Sequence, residues 1–318
     1  MKNDMIWGYM LSLSNHLWAD ELAEPRMYMP KPYNENIDID METWDKMVAV
    51  LAERKYNLVL VDVCDGMKYE SHPEISAPNA WDKDLLKKKL SEMRALGMEP
   101  IPKLNFSAGH DTWMKEYRRM VSTPVYYKVC ADLIKEVCEV FDNPRLFHLG
   151  FDEETLGVQS INEMVIIRGA KLWWHDLFFL CKEVEKYGAR PWVWTDYAWN
   201  NKELFLKNMS KDILQSNWFY HLFADYSASN KSRQTAIDTY ELLDKHGFEQ
   251  IPTGSNWNTW RNQYQMVGHC KEKLSTESLK GFLSAPWLPT SADHFHSLAS
   301  CAHYLYVARK DRYPETLK

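Results

Sequence analysis

The stretch HLGFDEE, from His148 to Glu154, sets two carboxylates, Asp152 and Glu153, side by side just after the apolar pair Leu146–Phe147. Adjacent side chains on an extended strand point to opposite faces. Where a strand ends, the chain can turn so that both reach one pocket. Two crowded carboxyls split their proton affinities, so one stays protonated at neutral pH while the other stays charged. Cleavage of a glycosidic bond needs that division: an acid for the leaving oxygen and an anion for the positive charge developing on the sugar. Gly150 reads as a place where the backbone approaches a ligand. The plain competing reading is that Asp-Glu-Glu opens the next helix, where carboxylates favour the N-terminus.

Short apolar, β-branched or aromatic runs begin at Met5, Tyr56, Met98, Leu146, Ala189, Ile213, Glu249 and Leu279. Amphipathic segments lie between them. One carries Trp44, Met47, Val48, Leu51 and Ala52 on a single face, and another Leu85, Leu86, Leu90, Met93 and Leu96, the three-and-four spacing of a helix. Gly97, Gly188 and Gly247 follow helical segments and precede strands, the place for a left-handed C-terminal cap. Alternating strand–helix units over 318 residues predict an α/β chain folded as a (β/α)8 TIM barrel, one catalytic domain spanning 1–318. A doubly wound sheet is the runner-up, but no glycine-rich phosphate loop follows the first strand. The segments from Leu22 to Asp40 and from His221 to Gln234 read as long loops on the site face.

In such a barrel the C-terminal strand ends carry the chemistry. Those ends supply Asn15 and His16, Asp62 and Asp65, Asn105 and His110, then Asp152 to Glu154. The later strands add Asp196 and Tyr197, Trp218 and Tyr220, Asn256 and Trp257, and Trp287. The chain has 14 Trp and 17 Tyr, and Trp194, Trp218, Trp257 and Trp287 fall where flat rings could meet the C–H face of a pyranose. Asp152 and Glu153 are the candidate catalytic pair. His110, His148, Trp194, Asp196, Tyr197, Trp218, Tyr220, Trp257, Trp287, Asn15 and Asp65 are the candidate sugar contacts. Trp192 is expected to face the helices. The seventh strand ends in Ser255, Asn256 and Trp257, without a carboxylate, so Asp196, Asp62 or Asp65 is left as a second carboxylate if one is needed. Asp62, Asp65 and His110 lack a diagnostic metal spacing, and neither metal nor cofactor is expected.

HLGFDEE resembles the His-x-Gly-Gly-Asp-Glu signature of glycoside hydrolase family 20, the β-N-acetylhexosaminidases, with Phe151 in place of a small residue. PIPKLNFSAGHDTW (Pro100 to Trp113) resembles that family's third-strand segment, and KYESHPEIS (Lys68 to Ser76) the segment after its second strand. GFLSAPWLPT (Gly281 to Thr290) resembles the eighth-strand segment with its pocket tryptophan, here Trp287. Three positions depart from the pattern: Asn15 and His16 stand where an arginine is usual, Lys103 replaces a glutamate, and Ala108 a proline. The resemblance implies an exo-acting, retaining hydrolase in which the substrate's 2-acetamido oxygen is the nucleophile. Asp152 would then orient the acetamido group and Glu153 would act as acid and base, with His110 tied to the acid. Trp194, Trp218 and Trp287 would wall the acetamido pocket, with Tyr220 or Tyr197 bonding its oxygen. Two alternatives stay open: a glycosidase for a sugar lacking the acetamido group, using Asp196 or Asp62, and a carbohydrate-binding barrel without turnover.

A net charge of −6 and the lack of a dense Lys/Arg run argue against a nucleic-acid partner. Lys87, Lys88 and Lys89 read as a solvated helix face. No apolar stretch is long enough to span a bilayer. Cys64, Cys130, Cys138, Cys181, Cys270 and Cys301 form no CxxC pair and read as buried thiols. The N-terminal MKNDMIWGYM lacks a signal-peptide run, which reads as cytoplasmic as written and leaves export open had a leader been removed. The expected partner is a carbohydrate, and the aromatic loops fit a homodimer face equally well.

Overall fold

A computed structural model of the chain describes residues 5–19, 33–223 and 231–317. The parallel strands are β1 (Ile6–Ser12), β2 (Leu58–Asp62), β3 (Glu99–Lys103), β4 (Leu146–His148), β5 (Arg190–Trp194), β6 (Leu214–Ser216), β7 (Thr253–Gly254) and β8 (Gly281–Ser284). They form one eight-stranded sheet in the order β6-β5-β4-β3-β2-β1-β8-β7. The single bridges Gln215↔Gln250 and Trp218↔Thr253 link β6 to β7 and bring the ends of the sheet together. This is the (β/α)8 barrel expected from the alternation of runs.

The helices are α1 (Met41–Glu53), α2 (Lys83–Ala95), α3 (Pro124–Val140), α4 (Leu156–Gln159) and α5 (Ala170–Glu185). They continue as α6 (Tyr197–Asn200), α7 (Lys202–Asn208), α8 (Lys231–Lys245), α9 (Asn262–Lys273) and α10 (Phe295–Arg312). Side chains set their starts. Asp40 accepts the Thr43 N–H to cap α1, Asp82 accepts Leu85 N–H to cap α2, and Thr123 caps α3 with Pro124 in its first turn. Gly97, Gly188 and Gly247 have φ of 82°, 79° and 69°, the left-handed cap expected of them.

The two-residue period of β1 divides the core. Ile6 and Met10 point inward with Leu58, Leu60, Ile101, Leu146, Leu214, Ile251 and Leu283, while Trp7, Tyr9 and Leu11 pack outward against the helices. Trp192 corrects an expectation. It lies inside the barrel with Trp194, because residues two apart on a strand share a face, and its indole N–H donates to Ser216 Oγ at 2.8 Å. Each buried indole removes on the order of 200 Å² from water, worth about 5 kcal/mol.

Lys89 also differs from its neighbours. It is 7% exposed and pairs with Asp45 at 2.5 Å and Glu92 at 3.2 Å, whereas Lys87 and Lys88 are solvated. Leu96, expected on the buried face of α2, is 53% exposed because the helix ends at Ala95. All six cysteines are buried free thiols. Among the described residues no helix is long and apolar enough to cross a membrane. Most of the first expected loop (residues 22–32) and half of the second (224–230) lie outside the described residues.

Candidate active site

β4 stops at His148, and the residues after it turn in a way no extended strand can. Gly150, Phe151 and Glu153 have φ of 76°, 69° and 52°. Each non-glycine residue held there costs roughly 1–2 kcal/mol, so neighbours must hold the loop. Leu149 N–H donates to Trp192 O at 2.8 Å, Trp194 N–H to Gly150 O at 3.0 Å, and Glu153 N–H to Asp196 Oδ2 at 2.9 Å. Gly150 packs against protein. A Cβ on it would stand 2.0 Å from Asn105 Oδ1, so glycine is there to let Asn105 pack against the backbone. Phe151 is buried, edge-on to Trp173 at 5.3 Å and beneath the Arg168 guanidinium at 4.7 Å. Glu154 is drawn aside: it accepts from Arg168 and, at 3.1 Å, from Ala108 N–H. Thr155, not the acidic run, caps α4.

These turns aim Asp152 and Glu153 into one cavity of about 370 Å³ at the C-terminal strand ends. Of the predicted set, its wall contains Asp152, Glu153, His110, Trp218, Tyr220, Trp257 and Trp287. The two carboxylates differ in setting. Asp152 is 6% exposed, accepts from Asn105 Nδ2 at 3.0 Å and lies 3.5 Å from His110 Nε2. The Glu153 side chain is 38% exposed, with Oε2 at 3.2 Å from the same nitrogen. Trp218 and Tyr220 stack at 5.0 Å, and Trp287 Nε1 donates to Tyr220 OH at 2.9 Å.

Charge in this cluster is shared. Burial would lower the His110 imidazolium, but Asp152 and the Glu153 bond outweigh it and hold it up at about 9. Burial, then the nearby Asp152, pushes the Asp196 carboxyl up to about 8. Burial raises Asp152 as well, with His110 pulling the other way. Asp152 faces a cation and Asp196 does not, so Asp196 is the one that keeps its proton at neutral pH. The folded state therefore binds a proton at Asp196 that the unfolded chain releases near 4. Its stabilisation is complete below about pH 4 and is lost as pH rises towards 8. In urea titrations, wild type should lose stability relative to Asp196→Asn across that window. A difference that does not change between pH 4 and 8 contradicts the assignment.

Other predicted residues lie outside this wall. Asp65 is fully buried, taking His16 Nδ1 at 2.7 Å and Ser14 Oγ at 2.5 Å. Asp62 is fully buried against Lys103 at 2.7 Å. His148 sits between the rings of Trp192 and Trp194 at 4.9 and 4.3 Å, and burial holds it neutral. Asn15 is buried, and Trp194 lies 5.6 Å from Trp287 in the inner core, behind the cavity wall. Asp196 and Tyr197 border a second cavity. The wall also includes Leu17, Trp18, Asn105, His221 and Asn258, which were not among the candidate contacts. Asn105 and Trp18 had a signal, since both follow strand ends; so had His221, which opens the second loop expected on the site face, and Asn258, which directly follows Trp257. Among the described residues, His110, Asp152 and Glu153 are the group whose potential metal-ligand atoms lie within 4.8 Å of one another.

No protein-family model matches the chain. It is 23% identical to a lacto-N-biosidase of Bifidobacterium bifidum over 235 residues, 65% of this chain and 20% of that protein. Among solved structures, a chitobiase of Flavobacterium johnsoniae superposes with a TM-score of 0.65 at 16% identity, covering 98% of this chain and 50% of the other. A family 20 exo-β-N-acetylglucosaminidase of Vibrio harveyi, bound to N-acetylglucosamine, gives 0.62 at 14% identity, covering 98% and 57%. The chain thus spans about a fifth of the curated relative and about half of the first of these structures. It has the barrel fold of glycoside hydrolase family 20, and the resemblance carried by the four motifs extends to the whole architecture.

Proposed function

We propose that the chain is a glycoside hydrolase that removes a terminal β-linked 2-acetamido sugar by substrate-assisted catalysis. The observation that carries this reading is the pairing of a buried Asp152 with a half-exposed Glu153, both within 3.5 Å of His110 Nε2, at the rim of an aromatic cavity. Glu153 protonates the glycosidic oxygen as its bond to C1 breaks, and the acetamido carbonyl oxygen closes on C1 from the other face. Asp152 accepts the acetamido N–H and balances the charge of the cyclic intermediate. Glu153 then takes a proton from water, which opens that ring with net retention. His110 engages Oε2 of Glu153 and leaves Oε1 for the substrate. Tyr220 lines the cavity and accepts from Trp287, so its own O–H is available to the acetamido oxygen; Tyr197, stacked on Trp173 at 4.0 Å, lines the second cavity, which favours Tyr220 for that role. A lacto-N-biosidase among the relatives and a glucosaminidase among the neighbours agree with this chemistry.

A classical two-carboxylate scheme finds less support, since Asp62 and Asp65 are buried and engaged and Asp196 lies behind Glu153. The deciding experiment is a panel of aryl β-glycosides. N-acetylglucosaminide or N-acetylgalactosaminide should be cleaved with retention and blocked by a thiazoline mimic of the intermediate. Turnover of glucosides alone, without thiazoline inhibition, would favour the two-carboxylate scheme. Sugar binding without any turnover would favour a binding barrel.

A further inference from the structure

His221 and Asn258 border the cavity that holds Asp152 and Glu153, and the proposed chemistry uses neither. In that chemistry Asp152 and Tyr220 serve the acetamido group and Glu153 the glycosidic oxygen, which leaves the ring hydroxyls of the sugar to be recognised. Asn15 and His16, the polar residues after β1, lie outside the wall. Asn105 is committed: its Nδ2 donates to Asp152 at 3.0 Å and its Oδ1 accepts Ser107 N–H at 3.0 Å. The indoles of Trp218 and Trp287 donate to Asp196 at 3.3 Å and to Tyr220 at 2.9 Å. We propose that Asn258, oriented by His221, recognises a ring hydroxyl of the retained sugar, an inference that rests on the glycosidase reading above.

The two residues come from different loops, His221 after β6 and Asn258 after β7, and meet where Asn258 Nδ2 donates to His221 Nε2 at 3.2 Å. An amide nitrogen only donates, so this bond fixes which end of the amide is which. It leaves the carbonyl Oδ1 and the second amide hydrogen, an acceptor and a donor, as a hydroxyl requires. Asn262, fully buried at the start of α9, ties the two loops together. Its Oδ1 accepts Ser255 N–H at 3.0 Å, and its Nδ2 donates to Phe219 O at 2.6 Å and to His221 O at 2.9 Å. Breaking any of these bonds would leave a buried polar group unsatisfied, so the clasp holds both loops in one geometry. Gly254 lets the clasp close on β7, since a Cβ there would stand 2.8 Å from Asn262 Oδ1.

The test measures inhibition of aryl-glycoside cleavage by N-acetylglucosamine and by its 3-, 4- and 6-deoxy analogues. It compares wild type, Asn258→Ala, His221→Phe and the double variant. Asn258 is exposed, and a phenyl ring at 221 keeps the packing on Phe219 at 5.8 Å, so the variants should fold. One deoxy analogue should inhibit wild type about 5-fold more weakly than the parent sugar, because the site loses a hydrogen bond. That gap should close in Asn258→Ala, where the parent falls to the level of the analogue. His221→Phe should close most of the same gap, and the double variant should lose no more than Asn258→Ala, since His221 acts through the amide. Trp260→Ala, 55% exposed on the same loop and outside the wall, should leave the gap intact. The proposal is overturned if the gap survives in Asn258→Ala, if no deoxy analogue is weaker than the parent by more than about twofold, or if the double variant loses the product of the single losses. Slower turnover with unchanged inhibition by the monosaccharide would put Asn258 against the leaving group and overturns it too. A wild type that cleaves no glycoside strikes the glycosidase reading instead. Calorimetric binding of the same sugars then decides the role of Asn258 by the same gap, and no binding at all overturns both.

Discussion

Glu153→Gln should lower kcat/KM on an aryl N-acetylhexosaminide by about 10²- to 10⁴-fold with KM little changed. The amide keeps the size of the carboxyl and cannot deliver a proton. The backbone contact to Asp196 is untouched, so the loop that carries the residue should hold its shape. The loss should be confined to steps that move a proton. It should shrink as the leaving group becomes a more acidic phenol, because a good leaving group needs no protonation. A purely structural role for Glu153 would lower all substrates alike and would also change inhibition by N-acetylglucosamine. Retention of more than about a tenth of wild-type kcat/KM on an alkyl or sugar leaving group would remove Glu153 as the acid.

Arg168→Met should destabilise the protein by about 3–5 kcal/mol in urea unfolding. The Arg168 side chain is 1% exposed and lies between Glu154 and Asp176, at 7% and 0%. Its Nη2 also donates to Phe106 O at 3.2 Å. Removing the cation leaves two carboxylates buried without a counter-charge, which costs more than the pair itself contributes. Ser122 and Tyr127 still donate to Asp176, so the larger share of the penalty falls on Glu154. Adding Glu154→Gln should therefore recover part of the loss. Turnover should fall as well, because Glu154 anchors the chain directly after the proposed acid. A loss below about 1 kcal/mol would mean that solvent or another side chain replaces Arg168.

Several parts of this architecture were legible residue by residue. The apolar runs marked where strands begin, and Gly97, Gly188 and Gly247 marked where helices stop, because both signals are local. Strand ends were harder. The runs from Ile213 and Glu249 contribute only Leu214–Ser216 and Thr253–Gly254 to the sheet, and the residues that follow these strands become site loops. Composition does not separate a residue that pairs from one that turns away. Likewise, the local pattern placed Asp62 and Asp65 among the site carboxylates, yet Lys103 and His16 claim them from other strands.

The pair Asp152–Glu153 shows the division most clearly. Its presence, its place after the fourth strand and its fitness for acid and anion chemistry follow from residue types and spacing alone. Which carboxylate is buried and which faces the opening was decided only by tertiary structure. That difference arises from a left-handed turn at Glu153, held by Asp196 of the next strand, and from Asn105 and His110 of the previous one. Contacts between residues more than forty positions apart set it, and no local pattern encodes them.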